Sequence, residues 1–313
     1  MSVKEAESKP TLVTALYNHT PKEILGGRGW AFDFYAAPFK NVLNLELPIK
    51  IYSHERMIKP LEKFMKRHSK AEYDIEEYDL HQFKYSDQIL ELRRASGKFQ
   101  NDQLKKNISD LENDRNFHLC LLKIFWLRNV ARQNLFNSKN FFWIDAGLFH
   151  HGIFPEKYGG RERLSMQEND PKLYYPQHKQ SIFSPTISHF LSSKVEKFLC
   201  MRHQEMPIDS NVMSAVKPIN KILGYIIGGL FGGSSDYIEK VCSDFDNGLK
   251  KVLEKKVLTL EENLLSCISG NNRDLYQCYD FFQWHHDIKG EPCYYGANPK
   301  YKSFYKIFKD DFR

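Results

Sequence analysis

Residues 141–144, Phe-Phe-Trp-Ile, follow a turn-like Asn137-Ser138-Lys139-Asn140 and are closed by Asp145, Ala146 and Gly147. A short unbroken apolar run rich in aromatic and β-branched side chains predicts a strand buried on both faces, which needs a sheet covered on each side. That requirement selects an α/β architecture. Asp145 then falls at the carboxyl end of the strand, the edge at which open α/β sheets bind ligands, with a permissive glycine close behind it. The same spacing also suits a carboxylate that caps the next turn.

The chain is long and apolar enough to fill such a sheet: 313 residues, 42% hydrophobic, are expected to form a single domain, 1–313. The net charge of +6 comes from interspersed lysines, arginines and acids, so it favours an anionic ligand without demanding nucleic acid. Six cysteines show no CxxC or zinc spacing and read as buried thiols in a reducing compartment. The first ten residues have no apolar signal-peptide core, and no run reaches the roughly 18 apolar residues of a membrane span. A cytoplasmic protein, or one peripheral to a membrane surface, is expected.

Before the central strand, Thr11–Tyr17 reads as a first strand that would present Thr14, Ala15 and Tyr17 to a ligand near its end. The loop Gly26-Gly27-Arg28-Gly29-Trp30 offers an arginine to phosphate and an aromatic ring for stacking, although a plain surface turn fits it equally. Leu47–Tyr52 reads as a second strand, 55–70 as a basic amphipathic helix and Tyr73–Tyr78 as an acidic third strand. Residues 86–114 are polar and charge-dense and read as a solvated helical insertion. In the apolar helix 117–131, Lys123 is either a snorkelling side chain or a cation facing a phosphate one helix upstream of Asp145.

Beyond Gly152, a proline- and glycine-containing stretch to residue 180 reads as an irregular lobe. Ile222–Gly233 is an apolar strand studded with glycines, including Gly228 and Gly229, where bare backbone allows close approach by a ligand or another chain segment. Its spacing is neither GxGxxG nor a Walker loop. Thr259 and Glu262 match a capping box, while Glu261 or Glu262 is also a candidate base. A late aromatic strand ends in His285-His286-Asp287, which reads as a surface histidine pair or as ligands for a metal ion.

Taken together, the first strand with its Arg-Gly-Trp, the Trp-Ile-Asp-Ala-Gly block, Gly228–Gly233 and the Glu261-Glu262 helix resemble the bacterial HtrL/YibB-like family. That family is in turn similar to GT-A type nucleotide-sugar glycosyltransferases. The resemblance implies a Rossmann-like central mixed sheet flanked by helices with a helical insertion, residues 10–152 holding the nucleotide and 153–313 the acceptor. It implies transfer of a sugar from a nucleotide donor, UDP-linked in expectation, to a glycan, lipid or protein. Asp145 matches the first acid of the family's Asp-X-Asp metal motif, with Lys123 basic on the preceding helix. Gly147 stands where the second acid belongs. A divalent ion, Mn²⁺ or Mg²⁺, is then expected on Asp145 with His286 or Asp287, and Arg28 and Lys123 are the alternative source of positive charge on the diphosphate. A non-catalytic nucleotide- or glycan-binding protein on the same fold is the competing reading. A nucleic-acid binder is not expected, because the basic segments lack an aromatic platform.

Overall fold

The computed structural model describes residues 8–17, 39–40, 42–96, 110–146, 195–203 and 207–280. Its centre is a seven-stranded mixed sheet in the order β3-β2-β1-β4-β6-β5-β7. The strands are β1 (Thr11–Leu16), β2 (Ile49–Ser53), β3 (Tyr73–Glu77), β4 (Asn140–Ile144), β5 (Phe198–His203), β6 (Tyr225–Ser234) and β7 (Tyr276–Asp280). Helices α1 (Glu55–His68), α2 (Ser86–Ser96), α3 (Asp110–Gln133), α4 (Ser210–Val216), α5 (Ser235–Glu254) and α6 (Glu261–Ser269) flank it. Strand β6 is antiparallel to both of its neighbours, β4 and β5, and the remaining pairings are parallel. The mixed α/β architecture expected from the sequence is therefore present.

Strand alternation sorts the core into two layers. Val13, Tyr17, Phe141, Trp143 and Phe231 join α3, α5 and α6 on one face, while Leu12, Leu16, Phe142, Ile144 and Leu230 meet α1 on the other. Phe141–Ile144 is buried throughout, as a strand covered on both faces must be. Helix α1 contributes a single stripe, Met57, Leu61 and Met65, and carries Glu55 in its first turn and Lys66, Arg67 and His68 in its last, each sign matched to the helix dipole. Helix α3 is buried nearly all round from Leu121 to Val130, because it lies between the sheet and α5. Helix α2 departs from the solvated insertion expected for this region: Ile89 and Leu90 are buried, and the Arg93 guanidinium lies over the Phe117 ring of α3.

The glycines of β6 have two structural causes. A Cβ on Gly232 would stand 2.1 Å from the Phe141 carbonyl oxygen, so β4 can approach only a bare backbone. Along β5, Cys200 is registered with Phe231 but the next residue, Met201, with Ile227, which leaves Gly228, Gly229 and Leu230 out of that ladder as a bulge. The bulge is aimed at the end of β4.

Candidate functional site

Strand β1 connects outward to β2 and β3, whereas its other neighbour β4 belongs to the half of the sheet formed with β6, β5 and β7. The order reverses between β1 and β4. In an open α/β sheet the crevice at the carboxyl ends beside such a reversal is the ligand-binding position. Asp145 stands there, immediately after β4, and its backbone N–H donates to the Gly229 carbonyl at 2.9 Å. Alternation directs it to the same side as Phe141 and Trp143, the side covered by α3.

On that side Asp145 meets Lys123. The ammonium nitrogen lies 2.9 Å from Asp145 Oδ1, 2.7 Å from Glu261 Oε1 and 3.2 Å from the Gly228 carbonyl oxygen. Trp143 Nε1 donates to Asp145 Oδ1 at 2.7 Å, and the Lys123 nitrogen is 5.7 Å from the Trp143 ring centroid. The structure thus brings Lys123, Asp145, Gly228 and Glu261 together, one residue each from α3, the end of β4, β6 and α6. An ammonium has three N–H donors and no acceptor. With two carboxylates and a carbonyl around it, Lys123 has none left for a phosphate. It is only 7% exposed, so its place is behind Asp145, holding it, and the expectation of a phosphate-facing lysine does not match this geometry.

The cluster holds one cation between two acids. Burial opposes the charge of Lys123, but Asp145 and Glu261 together keep it protonated well above the usual lysine range. Glu261 moves the other way from an ordinary buried partner: burial raises its pKa, Lys123 pulls it down, and the neighbouring Glu262 and Asp145 raise it again, with a net rise. Its Oε2 has no hydrogen-bond partner among the described residues. Asp145, with 28% of its side chain exposed, is the member that meets solvent, against 9% for Lys123 and 3% for Glu261. Cys120, on α3 one turn before Lys123, adjoins the same group, and burial followed by the charge of Glu261 holds its thiol protonated.

Glu262 has a different task. Its Oε1 accepts the Gly228 backbone N–H at 2.9 Å and its Oε2 accepts the Tyr225 hydroxyl at 2.8 Å. It therefore pins the bulge of β6 to the start of α6. The capping box expected from Thr259 and Glu262 is not formed: Leu260 occupies the cap position without a side-chain cap bond, and the Thr259 hydroxyl donates to the Leu260 carbonyl. Donors on β6 compete for the Glu262 carboxylate and win. Gly228 completes the fit, since a Cβ there would stand 2.2 Å from Glu261 Oε1. The chain segment that closes on this glycine is the first turn of α6.

The β1 candidates separate by face. Thr14 is fully buried on the α1 side, and its hydroxyl has no partner among the described residues. Ala15 packs on the α3 side. Tyr17 is 5% exposed, donates to the Tyr78 carbonyl at 2.8 Å and stacks 6.1 Å from Trp126, so it serves the core and not an open crevice. Burial, followed by the charge of neighbours beginning with Tyr78, pushes its phenol far above the usual value. Arg28, Gly147, His286 and Asp287 lie outside the described residues. Sequence reasoning missed the Trp143 indole and the Tyr225 hydroxyl; the signal available was a polar-tipped aromatic at an end of each apolar strand.

A divalent ion on Asp145 sits poorly with these contacts. The Lys123 ammonium touches both carboxylate oxygens, at 2.9 and 3.2 Å, and Trp143 donates to one of them. Among the described residues no group of three or more His, Cys, Asp and Glu side chains is arranged to hold a metal. The donors around Asp145 are those of an acid already neutralised by a lysine. No helix among the described residues is long and apolar enough to cross a membrane.

No family model matches the chain, and no curated protein matches it in sequence. Solved structures do resemble it. Mouse xyloside xylosyltransferase 1 in its apo form is 11% identical, with 97% of this chain and 94% of that one covered and a TM-score of 0.42. Core-mannan synthase A of Aspergillus fumigatus in its Mn/GDP form is 12% identical over 89% and 74%, with a TM-score of 0.43. HddC of Yersinia pseudotuberculosis is 9% identical over 74% and 79%, with a TM-score of 0.30. These likenesses concern the fold, and they assign neither donor nor acceptor to this chain.

Proposed function

We propose that the protein is a nucleotide-sugar-dependent glycosyltransferase that binds its donor, UDP-linked in the first instance, in the crevice between β1 and β4 and transfers the sugar to a glycan, lipid or protein acceptor. The observation that carries this reading is Asp145, a carboxylate fixed from behind by Lys123 and Trp143 and partly exposed at the switch point of the sheet. A carboxylate held in one orientation accepts hydrogen bonds from sugar or ribose hydroxyls without reorganising as the glycosidic bond breaks. Residues 10–152 would then supply the nucleotide half and 153–313 the acceptor half of one domain. Glu262 is a weak candidate for the base, since both its oxygens are already bonded. Glu261 is buried behind Asp145 and acts through it.

Asp145 acts here as a carboxylate paired with Lys123 and not as a metal ligand. Neutralisation of the departing diphosphate falls to Arg28.

The competing reading, a nucleotide- or glycan-binding protein without turnover, is favoured by the same Lys123 contact, which leaves Asp145 neutralised. A panel of nucleotide sugars separates the two. Release of nucleoside diphosphate from at least one donor, lost in Asp145→Asn, supports transfer. Calorimetric binding of a nucleotide without release from any donor, with and without simple sugar acceptors, supports the binding module.

A further inference from the structure

Strands β5 and β7 run parallel at one edge of the sheet, and their register sets Cys200 opposite Cys278. The two Sγ atoms are 3.1 Å apart, and both cysteines are reduced. Phe198 and Tyr276 pair one step earlier on the same face, with ring centroids 5.7 Å apart, so the alignment is held by packing as well as by the ladder. Cys200 is fully buried, whereas Cys278 is half-buried on the last strand of the sheet, where it is the more accessible of the two. Adjacent strands lie about 4.8 Å apart, within the span of about 4.4–6.8 Å between Cα atoms that a disulfide bridges. The registered pair therefore lies within reach of a disulfide once the Sγ atoms close from 3.1 Å.

We propose that Cys200 and Cys278 form a modification site for small-molecule disulfides, which convert the pair to a reversible cross-strand disulfide. The Cys278 thiolate attacks one sulfur of the reagent RSSR, forming the Cys278–SR mixed disulfide and expelling RS⁻, which takes up a proton. Cys200 then gives up its thiol proton and attacks the Cys278 sulfur, and the second RS⁻ leaves and takes up a proton. Two protein thiols lose two protons and two electrons, and one RSSR takes them up to become two RSH. Entry at Cys278 follows from its exposure. The hydrogen bond with Cys278, then burial, keep Cys200 as the thiol until the mixed disulfide stands beside it.

The bond would join residues 78 apart in sequence and fasten the edge strand β7 to β5. Closing a loop of that length raises the melting temperature by on the order of 5 °C in a chain of this size. The test exposes the whole protein to oxidised glutathione at fixed ratios to glutathione, alkylates remaining thiols without reduction and maps the cross-links by mass spectrometry. The expected result is a species 2 Da lighter in which Cys200 and Cys278 peptides are joined, reversed by excess glutathione, with the raised melting temperature. Cys200→Ser should instead accumulate one glutathione on Cys278. If that variant fails to fold, the wild-type cross-link map decides alone. A Cys278–glutathione adduct that never resolves, a cross-link between other cysteines, or no cross-link at any ratio overturns the proposal.

Discussion

Replacing Lys123 with methionine keeps the volume of the side chain and removes the charge that three acceptors share. Glu261 and Asp145 would then face each other with no cation between them, and the Gly228 carbonyl would lose its Lys123 donor. Removing one partner of a buried ion pair costs about 3–5 kcal/mol. Unfolding entropy of about 2.1 cal/mol/K per residue, over 313 residues, converts that to a fall of about 5–8 °C in melting temperature. The loss must depend on pH. Glu261 has a raised folded pKa, chiefly through burial, so the cost of its charge is absent below the unfolded carboxylate value and grows as pH rises through the folded one. Lys123 is the cause that lowers this pKa, and without it the Glu261 carboxyl takes a proton more readily. The deficit of Lys123→Met should therefore be larger at pH 8 than at pH 5, and adding Glu261→Gln should recover at least half of it at pH 8. Melting curves of wild type, Lys123→Met, Glu261→Gln and the double variant at both pH values are the assay. A deficit below about 1 kcal/mol at pH 8, or one equal at the two pH values, would refute the claim that Lys123 holds two acids in place.

Other parts of the site make separate demands. Asp145→Asn leaves Lys123 paired with Glu261, so the melting temperature should stay within about 3 °C of wild type while diphosphate release is lost; a large fall in melting temperature would make Asp145 a structural residue. Gly228→Ala drives a Cβ into Glu261 and should destabilise by about 1–3 kcal/mol, read by urea titration, whereas wild-type stability would mean that α6 shifts without cost. Tyr225→Phe removes a hydrogen bond to a carboxylate and should cost about 1.5–3 kcal/mol in the same titration, and no change would show that Glu262 is held by Gly228 alone. Mn²⁺ titrated by calorimetry in the presence of nucleotide should bind Asp145→Asn as it binds wild type, and a lost isotherm would restore Asp145 as a ligand.

The individual pieces of this site were legible in the sequence because each broke a local pattern. Asp145 ended an apolar run, Lys123 interrupted an apolar helix, and Gly228 weakened a strand that needed side chains. Their assembly was not legible, since it depends on β6 pairing antiparallel with β4 across a long intervening segment and setting Gly229 against Asp145. Local reasoning failed where tertiary partners outbid it. Thr259 and Glu262 satisfy the capping signature, yet Glu262 finds the Gly228 N–H and the Tyr225 hydroxyl, both donors from another element. Tyr17 stands at a strand end like a ligand contact, but alternation turns it toward Trp126 in the core. The close approach read from the glycines of β6 is made by protein neighbours, Phe141 at Gly232 and Glu261 at Gly228, which is strand and helix packing.

The most direct test of the central claim is a crystal structure of the protein soaked with the nucleotide sugar that the donor panel selects. Donor density is expected at the carboxyl ends of β1 and β4, with a sugar or ribose hydroxyl within hydrogen-bond distance of Asp145 and Lys123 still paired behind it. Donor density elsewhere on the sheet, with Asp145 untouched, would contradict it.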